Sequence, residues 1–257
     1  MKEKKLSVVI ITRNEAKNIA ACLQSVQWAD EVILVDSGST DKTREIAQKA
    51  GAKIISLPFK ELAFAQWRNE GLKAAKGKWL LYVDADERVT PELKKEIETL
   101  IKGKPDVAAY QIPRRNYYLG KEVRYGGAWP NYVKRLFLRE KLKRWEQKLH
   151  EDPVFEGELG TLKNPLLHQA HQSLTAMMAK TSQWSKIEAE LLDEAHHPPV
   201  TWWRILRMML TEFWERGIKL QGWRDGTVGW IELIFQMFSR FATYAQLWEL
   251  QQKKKKS

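Results

Sequence analysis

The sequence is poor in the features that mark secreted and membrane-spanning proteins. It contains a single cysteine, Cys22, so the chain cannot form an internal disulfide and a reducing compartment is expected. It has no run of about 18 uncharged apolar residues, the length that a membrane-spanning helix needs. The first residues lead directly into a short apolar run, without the small-residue cleavage site of a signal peptide. We therefore expect a cytoplasmic location.

Acidic residues are scarce relative to basic ones. The 43 Lys and Arg residues exceed the 32 Asp and Glu residues, which gives a net charge of +11 over 257 residues. Residues 197–257 concentrate this excess, since they hold ten Lys and Arg, five acids and six of the 12 Trp. Basic proteins often bind nucleic acid. Here, however, the aromatic residues fall in apolar helix patterns rather than among lysines, and no nucleic-acid-binding motif is visible, so we expect no nucleic-acid partner.

The first hundred residues alternate between strand and helix patterns. Short runs rich in β-branched residues predict buried strands, and amphipathic segments of helical length separate them. This alternation is typical of a parallel sheet with helices on both faces, whose ligands bind beside the carboxyl ends of the strands. The predicted strands are residues 8–11, 32–35, 53–57 and 79–83, and the predicted helices are residues 15–26, 41–50, 62–75 and a segment from Thr90 to Gly103.

From about residue 107 the pattern changes to short strands joined by turns, which we expect to join the same sheet in antiparallel orientation. A helical pattern follows and ends at Pro198-Pro199. The later predicted strands are residues 108–113, 117–124 and 132–138, and the helix covers residues 171–195.

Two more helices are predicted over residues 201–216 and 226–250. Each has an apolar arc much wider than that of an ordinary surface helix. Arcs rich in Trp and Phe, flanked by Arg and Lys and followed by Lys253–Lys256, are typical of helices that lie in a membrane interface. A helical pair packed on the rest of the chain, or a dimer interface, is the alternative. In the second helix the polar residues form only a narrow stripe of Glu232, Gln236, Ser239, Arg240, Thr243 and Gln246.

Two carboxylates, Asp84 and Asp86, follow the fourth predicted strand. At positions i and i+2 after a buried strand, they can reach one divalent cation that also binds the oxygens of a diphosphate. Such hard oxygen ligands suit Mg²⁺ or Mn²⁺. An isolated Asp-x-Asp is more often a pair of turn residues that cap the next helix, so its neighbours decide the interpretation.

Polar residues also follow the first two strands, and they would converge with the aspartates at one edge of the sheet. Asp36 can accept a hydrogen bond from the N3–H of uracil, and backbone groups near Thr12 and Asn14 can hold the ribose and base. Helix capping is the alternative for Asn14 and Glu15. Arg68 can fold back over a diphosphate, although a helix arginine is usually solvated.

The order and spacing of these motifs resemble those of family 2 glycosyltransferases, which have the GT-A fold. The matching segments cover about the first ninety residues: Ser7–Glu15, Ile33–Asp41, Trp67–Leu72 and Ala75–Glu87. The second half is similar to bacterial β-1,4-glucosyltransferases of lipopolysaccharide core biosynthesis that act on heptose. That narrower similarity rests on Tyr125–Pro130, Lys134–Phe137, Leu149–Glu151, Gly222–Gly226 and Tyr244–Glu249.

The resemblance implies an α/β fold with a Rossmann-like mixed sheet flanked by helices and a C-terminal helical extension. We expect a GT-A catalytic domain over residues 1–170, with a nucleotide-sugar-binding half (1–105) and an acceptor half (106–170). Residues 171–257 would form the helical region that associates with membrane.

The resemblance also implies roles for single residues. Asp36 would contact the nucleotide base, and Asp84 and Asp86 would hold Mg²⁺ or Mn²⁺ and the diphospho-sugar. His150 would be a third metal ligand or a diphosphate contact, with a structural role as the alternative. The nucleotide pocket would be lined by Thr12, Asn14, Glu15 and Arg68.

An inverting transferase needs a carboxylate that takes the proton from the acceptor hydroxyl. The similar enzymes commonly carry Asp after the Trp-Pro pair, whereas this chain has Asn131, and an amide cannot act as a base. Glu151 is therefore the preferred base and Asp152 the second choice. Trp129 would be a platform for the acceptor sugar, or else a core or hinge aromatic. The spacing of His168, His171, His196 and His197 does not suggest metal ligands.

The expected reaction is the inverting transfer of a hexose, glucose from UDP-glucose, to a lipid-linked oligosaccharide of the lipopolysaccharide core. It would take place peripherally on the inner face of the bacterial cytoplasmic membrane. One alternative is a glycosyltransferase for another surface polysaccharide or a protein acceptor. Another, kept open by Asn131, is a regulatory protein that binds a sugar nucleotide without turnover. A nucleotidyltransferase would carry a Gly- and Arg-rich first loop, which is absent.

Overall fold

The predicted parallel strands form the centre of a mixed sheet in the computed structural model, which describes residues 4–60, 63–103, 107–147 and 151–256. The chain divides into two units. The sheet unit contains the described residues up to Arg114 together with Tyr132–His168. The helical unit contains Arg115–Asn131 and the described residues from Gln169 onward. The boundary expected from the sequence, at residue 170, places the segment Arg115–Asn131 with the sheet. In the structure this segment groups with the helices instead.

The sheet unit contains helices α1–α4 and most of the strands; β7 belongs to the helical unit, and β6, β8 and β12 each have residues in both units. Its helices are α1 (Ile19–Val26), α2 (Thr43–Lys49), α3 (Phe64–Ala74) and α4 (Pro91–Lys102). The strands, in chain order, are β1 (Leu6–Thr12), β2 (Glu31–Asp36), β3 (Lys53–Ser56), β4 (Trp79–Asp84), β5 (Glu87–Val89), β6 (Ala109–Tyr118), β7 (Lys121–Val123), β8 (Asn131–Leu138), β9 (Leu142–Glu146), β10 (Asp152–Phe155), β11 (Leu159–Thr161) and β12 (Leu166–His171).

The strand order is β3-β2-β1-β4-β8-β6-β12-β5. Strands β3, β2, β1 and β4 run parallel, and β8 joins β4 in antiparallel orientation, as the sequence predicts. Every residue of β1 is buried, because helices cover both faces of this part of the sheet. Strands β9 and β10 form a separate antiparallel pair.

The helices begin later than the amphipathic pattern predicts. Helix α1 starts at Ile19 rather than Glu15, because the carbonyl oxygen of Glu15 accepts hydrogen bonds from the amides of Asn18 and Ile19 in a preceding turn. Helix α4 starts as expected: the hydroxyl of Thr90 accepts from the amide of Leu93, and proline occupies the first turn.

Close contact with β1 determines where α3 lies. A Cβ atom at Gly71 would stand 2.3 Å from a methyl carbon of Val9, so only glycine allows this approach. The amide side chain of Asn69 bonds both backbone groups of Trp145 on β9, with distances of 2.8 and 2.9 Å. Arg68, which directly precedes Asn69, is consequently held at the inner face of α3.

The helical unit is built from three long helices and two short ones. Helix α6 is continued by a π-helical segment, Phe213–Lys219, and a 3₁₀ turn, Gly222–Asp225, precedes α7. Within the described part of the chain, no helix is both long and apolar enough to cross a membrane. The long helices are α5 (Leu174–Glu194), α6 (Trp202–Glu212) and α7 (Thr227–Lys256).

The polar stripe of α7 faces the interior of the helical unit. Thr243 donates to a carboxylate oxygen of Glu188 on α5 at 3.0 Å, and the Arg240 guanidinium donates to Glu212 on α6 at 3.1 Å. Gln246 donates to the hydroxyl of Ser185 at 3.2 Å. The helices of this unit are thus joined by hydrogen bonds and ion pairs as well as by apolar packing.

Candidate active site

The carboxyl ends of β1, β2 and β4 bring three predicted site residues to one edge of the sheet. In the parallel registers Thr12 lies opposite Asp36, and Ile11 lies opposite Asp84. All three strands are buried along most of their length, so their polar last residues face the edge where a parallel sheet binds ligands.

Asp36 is buried at this edge, and its carboxylate accepts long hydrogen bonds of 3.2 and 3.3 Å from the amide of Ser39. The Arg44 guanidinium is 4.0 Å away. The hydroxyl of Thr12 is also buried and has no hydrogen-bond partner among the described residues. A buried polar atom of this kind is costly unless a ligand or a water satisfies it.

Asn14 and Glu15 tie the loop after β1 to the loop after β2. The Asn14 side-chain oxygen accepts from the amide of Thr40 at 2.8 Å, and the Asn14 amide donates to the Ser39 hydroxyl at 2.9 Å. The Glu15 amide donates to the Thr43 hydroxyl at 2.8 Å. The N-cap residue of α1 is Asn18 rather than Asn14 or Glu15, and both Asn14 and Glu15 shape the loops around Asp36.

Arg68 lies at the centre of the charged cluster. Its Nη2 donates to Asp84 Oδ1 and to Glu151 Oε1, each at 2.9 Å, and its Nε donates to Glu151 Oε1 at 3.0 Å. The side chain is only 2% exposed, which rules out the solvated alternative. Its guanidinium carbon lies 4.9 Å from the centre of the Trp145 ring, so apolar and cation–π contact hold it in place. Its Nη1 atom has no partner in the described part of the chain.

The second oxygen of Asp84 accepts from Nη2 of Arg135 on β8. Burial of the Asp84 carboxyl raises its pKa, but the guanidinium groups of Arg135 and Arg68 outweigh burial and hold the pKa far below its ordinary value. Asp84 is therefore ionised, with its charge balanced by two arginines.

Glu87 is fully buried and shapes the turn that carries both aspartates. Its Oε2 accepts from the backbone amide of Asp84 at 2.9 Å, and its Oε1 lies 3.3 Å from Arg135 and 3.5 Å from Arg114. The hydrogen bond to the Asp84 amide closes the Asp84-Ala-Asp-Glu87 turn. The two arginines compensate the buried negative charge.

Asp86 lies beside His168, with 3.5 Å between Oδ2 and Nε2. The contact follows from sheet register, because His168 on β12 pairs with Glu87 on β5, one residue beyond Asp86. Both side chains retain partial exposure. The spacing of the histidines along the sequence misses His168, since it is the antiparallel pairing that brings this residue to the aspartate.

The two candidate bases have different surroundings. Glu151 is mostly buried and joins the cluster through Arg68. Asp152, at the start of β10, is more than half exposed and pairs with Lys134 at 2.8 Å. His150, expected as a metal ligand or diphosphate contact, lies outside the described residues.

Trp129, the expected acceptor platform, belongs to the helical unit. Its ring is partly exposed, and the guanidinium carbon of Arg115 lies 6.0 Å from the ring centre. The loop before it is fixed by Asp225, whose carboxylate accepts from the amides of Arg124 and Tyr125 at 2.9–3.2 Å. The ring is therefore presented by a well-anchored loop.

The donor set suits a divalent cation shared with a diphosphate. In residues 4–60, 63–103, 107–147 and 151–256, no three His, Cys, Asp or Glu side chains cluster as a complete metal site. Asp86 and His168 offer one carboxylate and one imidazole, ligands that Mn²⁺ accepts and that leave positions for phosphate oxygens. The oxygens of Asp84 are engaged by arginines, so in this arrangement its carboxylate contributes charge to the site.

Comparison with known proteins agrees with this geometry. The family model described as glycosyl transferase family 2 matches residues 7–155, which include the parallel strands and the charged cluster. The chain belongs to this family.

Two individual relatives show which glycosyltransferases the chain is similar to. An uncharacterized glycosyltransferase of Rickettsia bellii (strain RML369-C) is 30% identical over 261 residues, covering 96% of this chain and 87% of that protein. The lipopolysaccharide core biosynthesis glycosyltransferase LpsC of Rhizobium meliloti (strain 1021) is 26% identical over 260 residues, covering 95% and 92%.

A solved structure agrees on the fold. The crystal structure of S. aureus TarS 1-349 in complex with UDP-GlcNAc superposes with a TM-score of 0.52 at 16% identity, covering 98% of this chain and 92% of that one. The predicted GT-A fold is confirmed.

Proposed function

We propose that this glycosyltransferase moves a hexose, glucose, with inversion from a UDP-sugar to a lipid-linked oligosaccharide of the lipopolysaccharide core. The observation that carries this proposal is the cluster in which one buried guanidinium, that of Arg68, bridges Asp84 and Glu151. A cation between two carboxylates at the ligand-binding edge of the sheet suits a reaction in which a diphosphate leaves and a hydroxyl loses a proton.

The donor would bind along the edge from Asp36 to Arg68. The Asp36 carboxylate would accept the N3–H of uracil, and the buried Thr12 hydroxyl would find its missing partner in the nucleoside. The free Nη1 of Arg68 would donate to a diphosphate oxygen. TarS, which shares the fold, was crystallised in complex with UDP-GlcNAc, and this supports a UDP-sugar as donor.

In the transfer step, the acceptor hydroxyl oxygen bonds to the anomeric carbon as the bond to the diphosphate oxygen breaks, and UDP departs with that electron pair. Glu151 takes the hydroxyl proton. Arg68 stabilises the charge that develops on the diphosphate, which weakens its hold on Glu151 at the moment when the base is needed. Asp86 and His168 would hold Mg²⁺ or Mn²⁺, which when bound supplies further stabilisation of the departing diphosphate.

The acceptor is proposed from similarity to LpsC, a lipopolysaccharide core enzyme. Trp129 would pack against the acceptor sugar with its exposed ring face. Because such acceptors are lipid-anchored, the enzyme would work peripherally on the cytoplasmic face of the membrane. Another surface polysaccharide or a protein acceptor is the alternative within the same chemistry.

The test is UDP release from a panel of UDP-sugars, with Mn²⁺, with Mg²⁺ and with a chelator, together with mass spectrometry of core oligosaccharide. We expect metal-dependent UDP release with UDP-glucose and a hexose mass added to the oligosaccharide. UDP-sugar binding without any UDP release would instead favour the regulatory protein that Asn131 leaves open. A hexose added only to another glycan or to protein would identify that molecule, rather than the lipopolysaccharide core, as the acceptor.

A further inference from the structure

Tryptophan is distributed unequally between the two units. Trp67, Trp79 and Trp145 are buried in the sheet unit, as large aromatic residues usually are. By contrast, all six Trp residues from Trp202 onward are exposed, from 48% to 75%. Of the 20 large apolar side chains that are exposed in the described residues, 13 lie between Trp202 and Trp248. A surface this rich in apolar side chains marks an interaction site.

Ten of these 13 side chains form two lines, one on each of two helices. On α6 and its π-helical continuation they recur every fourth residue, and no residue of α6 itself is buried. On α7 they recur at intervals of three, four or seven. We call these rows the apolar lines. They are Trp202, Leu206, Leu210, Trp214 and Ile218 on the first, and Trp230, Ile234, Phe238, Phe241 and Trp248 on α7.

The polar stripe of α7 points the other way. Thr243 is 1% exposed and, like Arg240 and Gln246, forms its hydrogen bonds inside the unit. An ordinary surface helix buries its apolar side and exposes its polar side. The polar stripe of α7 departs from this rule, as expected where the medium beside the apolar line is less polar than water.

Basic residues dominate the exposed charge in this region, since the exposed carboxylates of Glu215 and Glu249 each pair with a lysine. Arg207 and Arg224 are exposed, whereas Asp225 is buried and Glu212 is held between Arg216 and Arg240. Burial raises the pKa of Glu212, but hydrogen bonds from both arginines outweigh it and lower the pKa, so its charge stays internally balanced. Exposed arginines beside aromatic side chains complement the anionic headgroups of a bilayer.

We infer that the apolar lines of α6 and α7 rest in the headgroup region of an anionic lipid bilayer, parallel to its plane. Exposed Trp rings favour this depth, because they combine an apolar body with a polar N–H. A second copy of the chain would bring the same arginines face to face, which costs free energy. This inference rests on the proposed function, since it names the surface that would hold the enzyme peripherally on the membrane. Lipid binding can be measured without the transfer reaction.

The experiment is flotation of the full-length protein with vesicles of phosphatidylcholine alone or mixed with phosphatidylglycerol. We expect binding to the anionic vesicles, weakened by salt. Replacing one residue on each line, Trp214→Gln with Ile234→Gln, should lower the vesicle-bound to free ratio about tenfold. The matched control is Leu159→Gln with Met178→Gln, which changes two exposed apolar side chains outside the apolar lines and should leave flotation unchanged.

Circular dichroism and UDP release confirm that each variant is folded. If the folded full-length protein floats with neither vesicle, the inference is overturned. Equal flotation with both vesicle compositions would contradict the preference for an anionic bilayer. The protein could instead bind no vesicles and form a dimer in light scattering. If only the variant with Trp214→Gln and Ile234→Gln then lost the dimer, the apolar lines would be an interface with a second copy of the chain.

Discussion

Arg68 and Glu151 are 83 positions apart in the chain, yet two nitrogens of the arginine donate to the same carboxylate oxygen, at 2.9 and 3.0 Å. Arg68 also donates to Asp84 on its other side. The proposed base is thus connected to the leaving-group side of the site through one guanidinium. Variants of this cluster, and of one carboxylate outside it, have distinct expected outcomes.

We expect Glu151→Gln to lower kcat by about 100-fold or more, because an amide cannot take the acceptor proton. The amide oxygen can still accept from Arg68, so UDP affinity measured by calorimetry should change little. Asp152→Asn is the matched control, since that carboxylate is exposed and pairs with Lys134. If Asp152→Asn lost activity and Glu151→Gln did not, Asp152 rather than Glu151 would be the base.

We expect Asp86→Asn and His168→Gln each to weaken Mn²⁺ binding by about 10-fold or more, since each removes one protein ligand of the proposed site. Paramagnetic resonance of free Mn²⁺ in the presence of UDP measures the affinity independently of turnover. His171→Gln, on the same strand but packed against Tyr118 in the helical unit, should bind Mn²⁺ normally. If His168→Gln bound Mn²⁺ with unchanged affinity, the contact between His168 and Asp86 would have a structural role rather than a role in metal binding.

We expect Arg135→Met to cost about 3–5 kcal/mol of unfolding free energy, because it removes the nearer of the two arginines that balance the buried Glu87 carboxylate and leaves Arg114 at 3.5 Å. The double variant with Glu87→Gln should recover part of this loss. Urea denaturation of the four proteins in the cycle gives the coupling. The exposed pair of Arg144 and Glu146 serves as the control, and Arg144→Met should change stability little. Additive effects in the first cycle would contradict the ion pair.

We expect Glu31→Gln to lower stability at neutral pH by about 1–2 kcal/mol. Glu31 joins β2 to β1 by accepting from Lys4 and Ser7, and it also accepts from the amide of Lys76, at 2.6–2.7 Å. Burial raises the pKa of this carboxyl, but the three hydrogen bonds outweigh it, so its pKa lies below the ordinary value.

The pH dependence of this effect follows from the lowered pKa. The unfolded chain binds the proton more tightly, so the stabilisation is complete above an unfolded pKa of about 4.3 and is lost as the pH falls through the folded value. The difference between wild type and Glu31→Gln should therefore vanish on acidification. Glu45→Gln, which alters an exposed pair with Lys49, should show little difference at any pH. A constant gap for Glu31→Gln would contradict the lowered pKa.

The sheet could be predicted from the sequence where burial is continuous. Strands β1, β2 and β4 lie within two residues of their expected limits, because a strand buried on both faces must be largely apolar. Strand β3 also lies within its expected limits, although its two end residues are exposed. Strand β5 could not be predicted, since its three residues carry two charges and pair with β12, which is distant in the sequence.

The site was predictable to a similar degree. Asp36 and Asp84 lie where the strand ends predict, and Arg68 joins Asp84 although it comes from a helix. Arg135 and His168 could not be assigned, because antiparallel registers among later strands bring them to the cluster. The polar stripe of α7 was visible in the sequence, but the direction that it faces depends on partners in α5 and α6.

The inward polar stripe of α7 has a consequence for how this chain can be altered. Specific pairing of the three long helices rests on directional bonds from Arg240, Thr243 and Gln246, which few other side chains could reproduce. The outward positions have no comparable geometric requirement. A chain redesigned for work in dilute buffer could therefore exchange its outer aromatics for hydrophilic residues and keep the same helical arrangement, whereas one exchange at Thr243 would disturb it.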